Sequence, residues 1–458
     1  MRAMLTALSA ITPLDGRYRE KLSDTFIYFS EYALIRYRVI VELQYYYFFC
    51  TRILHKKVSQ NIITTLINAF DEKKAAKVKV IEKRINHDVK AVEYYVRDIL
   101  TKKKLGAVAY VHFALTSEDV NALAYGLMLR DARKYVVVPH LKLLVETLSA
   151  MAKTYADVPM LARTHGQAAV PTTMGKELLN FAMRLHKALQ DLKNLPIEGK
   201  LNGAVGNYNA HVVGFPHVDW VKESDAFITS LGLVPNHYTT QIIPADSQIQ
   251  VFQRVKLINT ILIGLSQDMW RYISDGYFIQ EIKKHEVGSS TMPQKVNPIN
   301  FENAEGNLGL ANATLEFLSE KLPISRLQRD LSDSTVKRSI GTALATSVLG
   351  YLSLQKGLER VSVDVQKLED DLLNHWEIVT EGIQTVLRTI GDTEAYEKVK
   401  AFARGKSIQE KDIHAFIETL SVSPSIKNRL KKITPLSYVG LSNILVQKGL
   451  QEMEKEEV

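Results

Sequence analysis

The sequence predicts an all-α protein of three helical domains built around a long central bundle. Three observations lead there. Apolar residues recur at three- and four-residue steps over unusually long runs. They fall on more than one stripe, so the helices are expected to be buried on several sides. Polar or glycine-rich breaks separate the runs, and no repeat, low-complexity tract or Gly/Ser linker intervenes.

A first helical cluster fills 1–114. The central region, 115–364, carries four long periodic segments: Lys176–Leu195, Ala245–Ser274, about Gly306–Lys321, and Thr335 to about Val361. A third region, 365–458, opens just before "DLLNHWEIV". Segments of this length suit a bundle, and part of their burial is expected from other subunits. The longest weakly polar run, Ser339–Gln355, lies between Arg338 and Lys356 and carries several hydroxyls. It is shorter than a typical membrane span and reads as a core helix.

Composition narrows the class. With 458 residues, 46% hydrophobic and 24% charged, the chain can bury a large core without staples. The one cysteine, Cys50, sits in "YYYFFC" and reads as a buried thiol in a reducing compartment, which excludes a disulfide framework. The N-terminal apolar stretch is broken by Pro13 too early for a signal peptide, so a cytoplasmic protein with no membrane partner is expected. Net charge is +8, but the basic residues are dispersed among acids, with only small clusters such as "TKKK" and "RLKK". No groove-reading motif accompanies the charge, which disfavours nucleic acid and favours a small anionic substrate. There is no HExxH, Cys/His cluster or Walker-type loop, and His285 in "HEVGSS" has no second histidine at helical spacing. No metal or other cofactor is expected.

The breaks carry the chemistry. They are "ITPLDGRY" (11–18), "NHDVKAVEYY" (86–95), "LTSEDVNAL" (115–123), "ARTHGQAAVP" (162–171), "KLNGAVGNYNAH" (200–211) and "GSSTMPQKVNP" (288–298). In the last, Pro293 and Pro298 stop helix and Gly288 opens backbone geometry closed to other residues. Such a loop offers free N–H groups to an anion, helped by Lys295 and Asn297, and places a serine in that environment. An ordinary Ser/Pro/Asn-rich surface turn is the competing reading of the loop alone.

The loop resembles the signature of the fumarase/aspartase superfamily. "PLDGRY", "NHDVKAVEYY", "LTSEDVNALAYGLML", "ARTHGQAAVPTTMGKE", "KLNGAVGNYNAH" and "RDLSDSTVKRS", in that order, are similar to the adenylosuccinate lyase family, and "NHWEIV" and "AYEK" to its bacterial branch. The resemblance implies a β-elimination without metal or organic cofactor. A proton leaves the carbon beside a carboxylate of a succinyl group, a nitrogen leaving group departs, and fumarate is released. The dianionic aci-carboxylate needs positive charge and N–H donors, and the departing amine needs an acid on the opposite side.

By position in the matching motifs, Ser289 corresponds to the general base, His165 to the general acid, and Lys295 to the cation supporting the loop. Ser290, its neighbour, is then a substrate contact; residue chemistry alone does not separate the two serines, and Ser290 equally reads as the base. Glu302 matches a carboxylate that orients the histidine; it also reads as a first-turn helix acid. Asn86, His87, Asp88, Thr116, Ser117, Gln241 and Asn297 match substrate contacts. Asn86 and Ser117 equally read as N-caps. Arg17, Tyr18, Arg329, Ser334 and Arg338 match the nucleotide side, where arginine forks suit phosphate; taken singly, the arginines also read as solvated helix charge. Gln294 stands where many adenylosuccinate lyases have histidine and argininosuccinate lyases have glutamine, and Ala168 replaces a frequent proline. The resemblance implies a homotetramer of two-fold (D2) symmetry with active sites shared between subunits. The implied substrates are succinyl nucleotides: adenylosuccinate and the succinyl-aminoimidazole-carboxamide ribotide. The alternatives are an argininosuccinate lyase, a fumarase/aspartase-type lyase, or a non-catalytic protein on the same scaffold.

Overall fold

The computed structural model describes residues 6–281, 291–292 and 294–456. The four long segments are helical, as Met174–Asn194, Asp246–Ser274, Ile299–Lys321 and Ile340–Leu358. The third begins seven residues earlier than the periodicity suggested. Pro298 opens this helix instead of merely barring it, because its carbonyl accepts from the amides of Phe301 and Glu302 at 3.0 and 3.3 Å. The fourth is split, with a short helix Ser332–Lys337 preceding Ile340–Leu358.

The chain forms two compact units. One comprises Met1–His140, Ala188–Thr260 and Gly306–Tyr351; the other comprises Leu141–Lys187, Ile261–Glu305 and Leu352–Val458. The boundaries fall inside the long helices.

In the first unit, helices Glu31–Phe48, Glu72–Ile85 and Asp88–Lys102 enclose a core of Val39, Leu43, Tyr46, Val78, Val92 and Val96, among others. Cys50 lies in it, fully buried. The starts of these helices follow from their sequence: Ser30 accepts from the Ala33 amide and Asp71 from the Lys74 amide, each taking up a donor that a helix end leaves orphaned. The helical run Ser117–Thr154 is long and apolar enough by composition to cross a membrane. Its first five residues, however, include Glu118, Asp119 and Asn121, all buried and all bonded to protein groups, as suits a core helix.

One ion pair organises this unit. Lys200 Nζ lies 2.7 Å from Asp119 Oδ1, and both side chains are fully buried. The same Asp119 oxygen accepts from the amides of Asn202 at 3.0 Å and Gly203 at 3.3 Å. Its other oxygen accepts from the Thr116 amide at 2.8 Å, closing the N-terminus of the helix that starts at Ser117. One carboxylate therefore ties "LTSEDV" to "KLNGAVG".

The second unit contains what helical periodicity did not reveal: an antiparallel hairpin, Pro159–Thr164 with Gln167–Thr173. A second pair of short antiparallel strands joins Phe278–Gln280 to Val361–Val363. Leu161 packs with Leu372, Trp376, Ile383 and Ile417 in this unit's core. The helix Met174–Asn194 starts hard against the end of the preceding helix. A Cβ at Gly175 would lie 2.4 Å from the Ala152 carbonyl oxygen and 2.6 Å from the Ala156 Cα, both backbone atoms that cannot rotate away.

Two stability effects are expected. Gly175→Ala forces backbone apart and should destabilise by about 1–3 kcal/mol, read as an earlier denaturant midpoint. Lys200→Met leaves Asp119 charged, buried and without its counter-ion; the expected loss is about 3–5 kcal/mol, and a wild-type midpoint would contradict the role given to the pair.

Candidate active site

At the "NHD" break the chain reverses between two helices, and each residue has a separate task. Asn86, at φ 53°, ends the helix Glu72–Ile85 in the left-handed conformation. It is a C-cap, not the N-cap its type suggested. His87 takes the N-cap role, its Nδ1 accepting from the Lys90 amide at 3.1 Å. An Nδ1 that accepts carries no proton, so Nε2–H is the donor on this half-exposed ring. Asp88 receives Arg38 at 2.8 Å and the Val89 amide at 2.8 Å. Burial alone would raise the Asp88 pKa, but the Arg38 charge and these hydrogen bonds outweigh it and hold the carboxyl below its usual range.

Arg38 extends the network inward. Its Nε donates to Asn121 Oδ1 at 2.9 Å, and Asn121 donates to Glu118 at 2.6 Å. Glu118 also pairs with Arg329 at 3.0 Å. Arg329 in turn donates to Gln241 Oε1 at 3.3 Å, while Gln241 Nε2 donates to the Ala204 carbonyl at 3.2 Å. The buried Asn202 bonds Thr239, two residues before Gln241, at 2.8 Å. Gln241, Arg329 and the "LTSEDV" helix start are thus locked together through groups that motif reading did not single out: Glu118, Asp119, Lys200 and Asn202. Their signal was their place inside the quoted motifs. Thr116, not Ser117, is the N-cap of this helix, and both are half-buried.

The "RDLSDSTVKR" segment supplies the remaining cations. Lys337, nearly buried, pairs with Asp333 at 2.7 Å. Arg338 pairs with Glu31 and lies 3.8 Å from Asp88. Ser334 is half-buried in the short helix between them. Arg338 and Glu31 also line a cavity of about 360 Å³ with Leu14, Asp15, Arg19 and Phe29. Asp15 belongs to the "PLDGRY" turn, which Thr12 closes by donating to Asp15 at 2.7 Å. Arg17 is exposed, its guanidinium 5.9 Å from the centre of the Tyr18 ring.

Two histidines of this unit were not anticipated. His112, in the loop leading to Thr116, has φ 60° and its Nδ1 lies 2.5 Å from the fully buried Glu42. Burial would lower its pKa, but the Glu42 charge outweighs that and raises it. His211, at the end of "KLNGAVGNYNAH", is fully buried against Trp220 and Tyr208, and burial pushes it down to about 4. That ring is neutral and belongs to the core.

In the second unit, His165 and Gly166 form the two-residue tip of the hairpin, with φ 54° and 76°. Two successive positive φ values are what a tight hairpin turn matched to strand twist requires. Gly166 adopts this without strain; His165 is held there by the strands and is exposed. Lys295 is exposed, its amide donating to the Met292 carbonyl at 3.0 Å. Asn297 is half-buried just before the helix Ile299–Lys321. Glu302 lies in that helix's first turn and accepts from Trp270 Nε1 at 3.2 Å. Among the described residues no hydrogen bond joins Glu302 to His165 within one chain. Ser289 and Ser290 lie outside the described residues. Among the described residues, no three His, Cys, Asp or Glu side chains converge as metal ligands.

Known proteins match this arrangement along almost its full length. Residues 33–312 match a lyase family model, and residues 325–439 match that of the adenylosuccinate lyase C-terminal region. The chain is 48% identical to adenylosuccinate lyase of Legionella pneumophila strain Corby over 451 residues, covering 97% of this chain and 99% of that protein. It is 44% identical to adenylosuccinate lyase of Escherichia coli K12 over 450 residues, 96% and 99% of the two chains. Its fold is similar to that of 3-carboxy-cis,cis-muconate lactonizing enzyme from Pseudomonas putida, with a TM-score of 0.76 at 19% identity, over 95% and 98% of the two chains. With motifs in the family's order and near-complete coverage at these identities, the chain belongs to the adenylosuccinate lyase family.

Proposed function

We propose that the chain cleaves adenylosuccinate to AMP and fumarate, and the succinyl-aminoimidazole-carboxamide ribotide to its amide and fumarate. The observation that carries this reading is the locked set Asp88–Arg38–Asn121–Glu118–Arg329–Gln241, with Arg338 beside it. These cations suit a substrate that carries a phosphate and a succinyl carboxylate, and the chain belongs to the adenylosuccinate lyase family over almost all of its length. The arginines favour a phosphate-bearing substrate over argininosuccinate, fumarate or aspartate.

In this reading Ser289 takes the proton beside the succinyl carboxylate. Lys295 and the amides of the 288–298 loop bear the charge that collects on the carboxylate oxygens. His165, as imidazolium, gives its proton to the departing nitrogen. Its turn suits that task, since two strands fix the backbone while the ring stays accessible. The family relation supports a homotetramer in which several subunits complete each site, and that accounts for Glu302 meeting Trp270 instead of His165 within one chain. A cytoplasmic location suits an enzyme acting on free nucleotides.

Fumarate release, followed by absorbance, should be seen with adenylosuccinate. Release from argininosuccinate alone would overturn the substrate assignment. Lys295→Met should lower kcat by about 10²–10³-fold, the usual scale for losing one donor to a developing oxyanion. Inactive His165→Asn and Ser289→Ala tetramers, mixed under subunit exchange, should regain part of the wild-type activity; mixtures that stay inactive would exclude sites shared in this way.

A further inference from the structure

The His165 turn is tied at its base to the strand that leads toward the 288–298 loop. The tie is a single carboxylate. Asp371, in the helix Val365–Leu373, accepts from Arg163 Nη2 at 2.9 Å. It also accepts from the hydroxyl of Tyr277. Arg163 is two residues before His165, at the irregular step of the hairpin between Leu161 and Arg163, where the ladder's register shifts. Strand hydrogen bonds alone hold such a step less firmly than a regular ladder. Tyr277 is 2% exposed and immediately precedes the strand Phe278–Gln280. That strand is clamped in turn: Asp364 donates its amide to the Tyr277 carbonyl at 2.9 Å, and the Gln280 side chain donates to the Val296 carbonyl at 3.0 Å. Burial, and then the bond to Asp371, push the Tyr277 phenol up to about 12, so it remains a donor at working pH.

We propose that Asp371 is a positioning residue for the elimination. It fixes the Arg163 end of the His165 hairpin and the Tyr277 end of the strand leading to the 288–298 loop against one carboxylate. The proposal rests on reading His165 as the general acid. Three features argue that more than local packing is involved. The Asp371 side chain is only 19% exposed, yet its two partners come from separate chain segments, 114 residues apart in sequence. Arg163 is two residues from His165, and the strand that follows Tyr277 is bonded through Gln280 to Val296, the neighbour of Lys295. Finally, Leu372, the next residue, packs with Leu161 of the same strand, so helix and hairpin are joined on two sides. A displacement of reacting groups by about 1 Å is enough to cost on the order of 10²-fold in rate.

Steady-state kinetics on the full-length enzyme with adenylosuccinate tests this. Asp371→Ala should lower kcat by at least tenfold while KM stays within about threefold, because substrate contacts are untouched. Asp371→Asn, which keeps an acceptor in place, should recover part of that loss. Tyr277→Phe, which removes one hydroxyl and no volume, should lower kcat in the same direction if Asp371→Ala fails to fold. Wild-type kcat in both Asp371→Asn and Tyr277→Phe would overturn the proposal, as would a rise in KM with kcat preserved. If His165→Asn itself keeps full activity, the assignment of the acid fails. If His165→Asn is inactive while the Asp371 and Tyr277 variants are silent, only the positioning role fails.

Discussion

The buried carboxylate of Asp119 is the constraint on which the arrangement of the first unit depends. A charge taken fully out of water is tolerated only when its partner is close and its remaining lone pairs are used. Asp119 meets that demand with Lys200 and the amides of Thr116, Asn202 and Gly203. Satisfying one ion thereby fixes a helix start and a glycine-containing loop against each other. The same helix turn presents Glu118 to Arg329, and the same loop presents Ala204 to Gln241. Since Arg329 and Gln241 are themselves bonded, the connections form a closed ring. In a ring of this kind no member relaxes alone, which holds the Arg329 guanidinium in one place.

Much of the fold was legible because long helices announce themselves by period. Met174–Asn194 and Asp246–Ser274 lie within two residues of the expected bounds. The failures have physical causes. Pro298 was read as a stop, whereas a proline carbonyl also serves as the first acceptor of the helix after it. The hairpin at 159–173 was missed because a register shift between Leu161 and Arg163 breaks its alternation and its tip, "HG", is rarer than the usual Asn-Gly or Asp-Gly turns. At "NHD" the residue types were right and the cap assignments shifted by one, since an imidazole nitrogen took the place of the more usual hydroxyl or amide.

The site was legible as a set of motifs and less so as a set of contacts. Motif positions name the candidate groups, but not the acids that hold those groups. Glu118 and Asp119 stand inside "LTSEDV" without any mark in the sequence that separates them from surface acids, and only burial gives them their weight. Likewise His112 and His211 look alike in sequence. A fully buried glutamate beside one and an aromatic wall around the other give them opposite protonation tendencies. Long-range pairing of this kind leaves no period in the chain.

The only cysteine turns the first unit into its own reporter. Cys50 is fully buried, and burial raises the pKa of its thiol, so in the native fold it is shielded from reagents and poorly ionised. A thiol-reactive dye therefore modifies the wild-type chain only through openings of the core around Val39, Leu43 and Val92. When reclosing is fast, the labelling rate measures the population of that opened form. The unfolding of one region of the chain then becomes measurable without an introduced label.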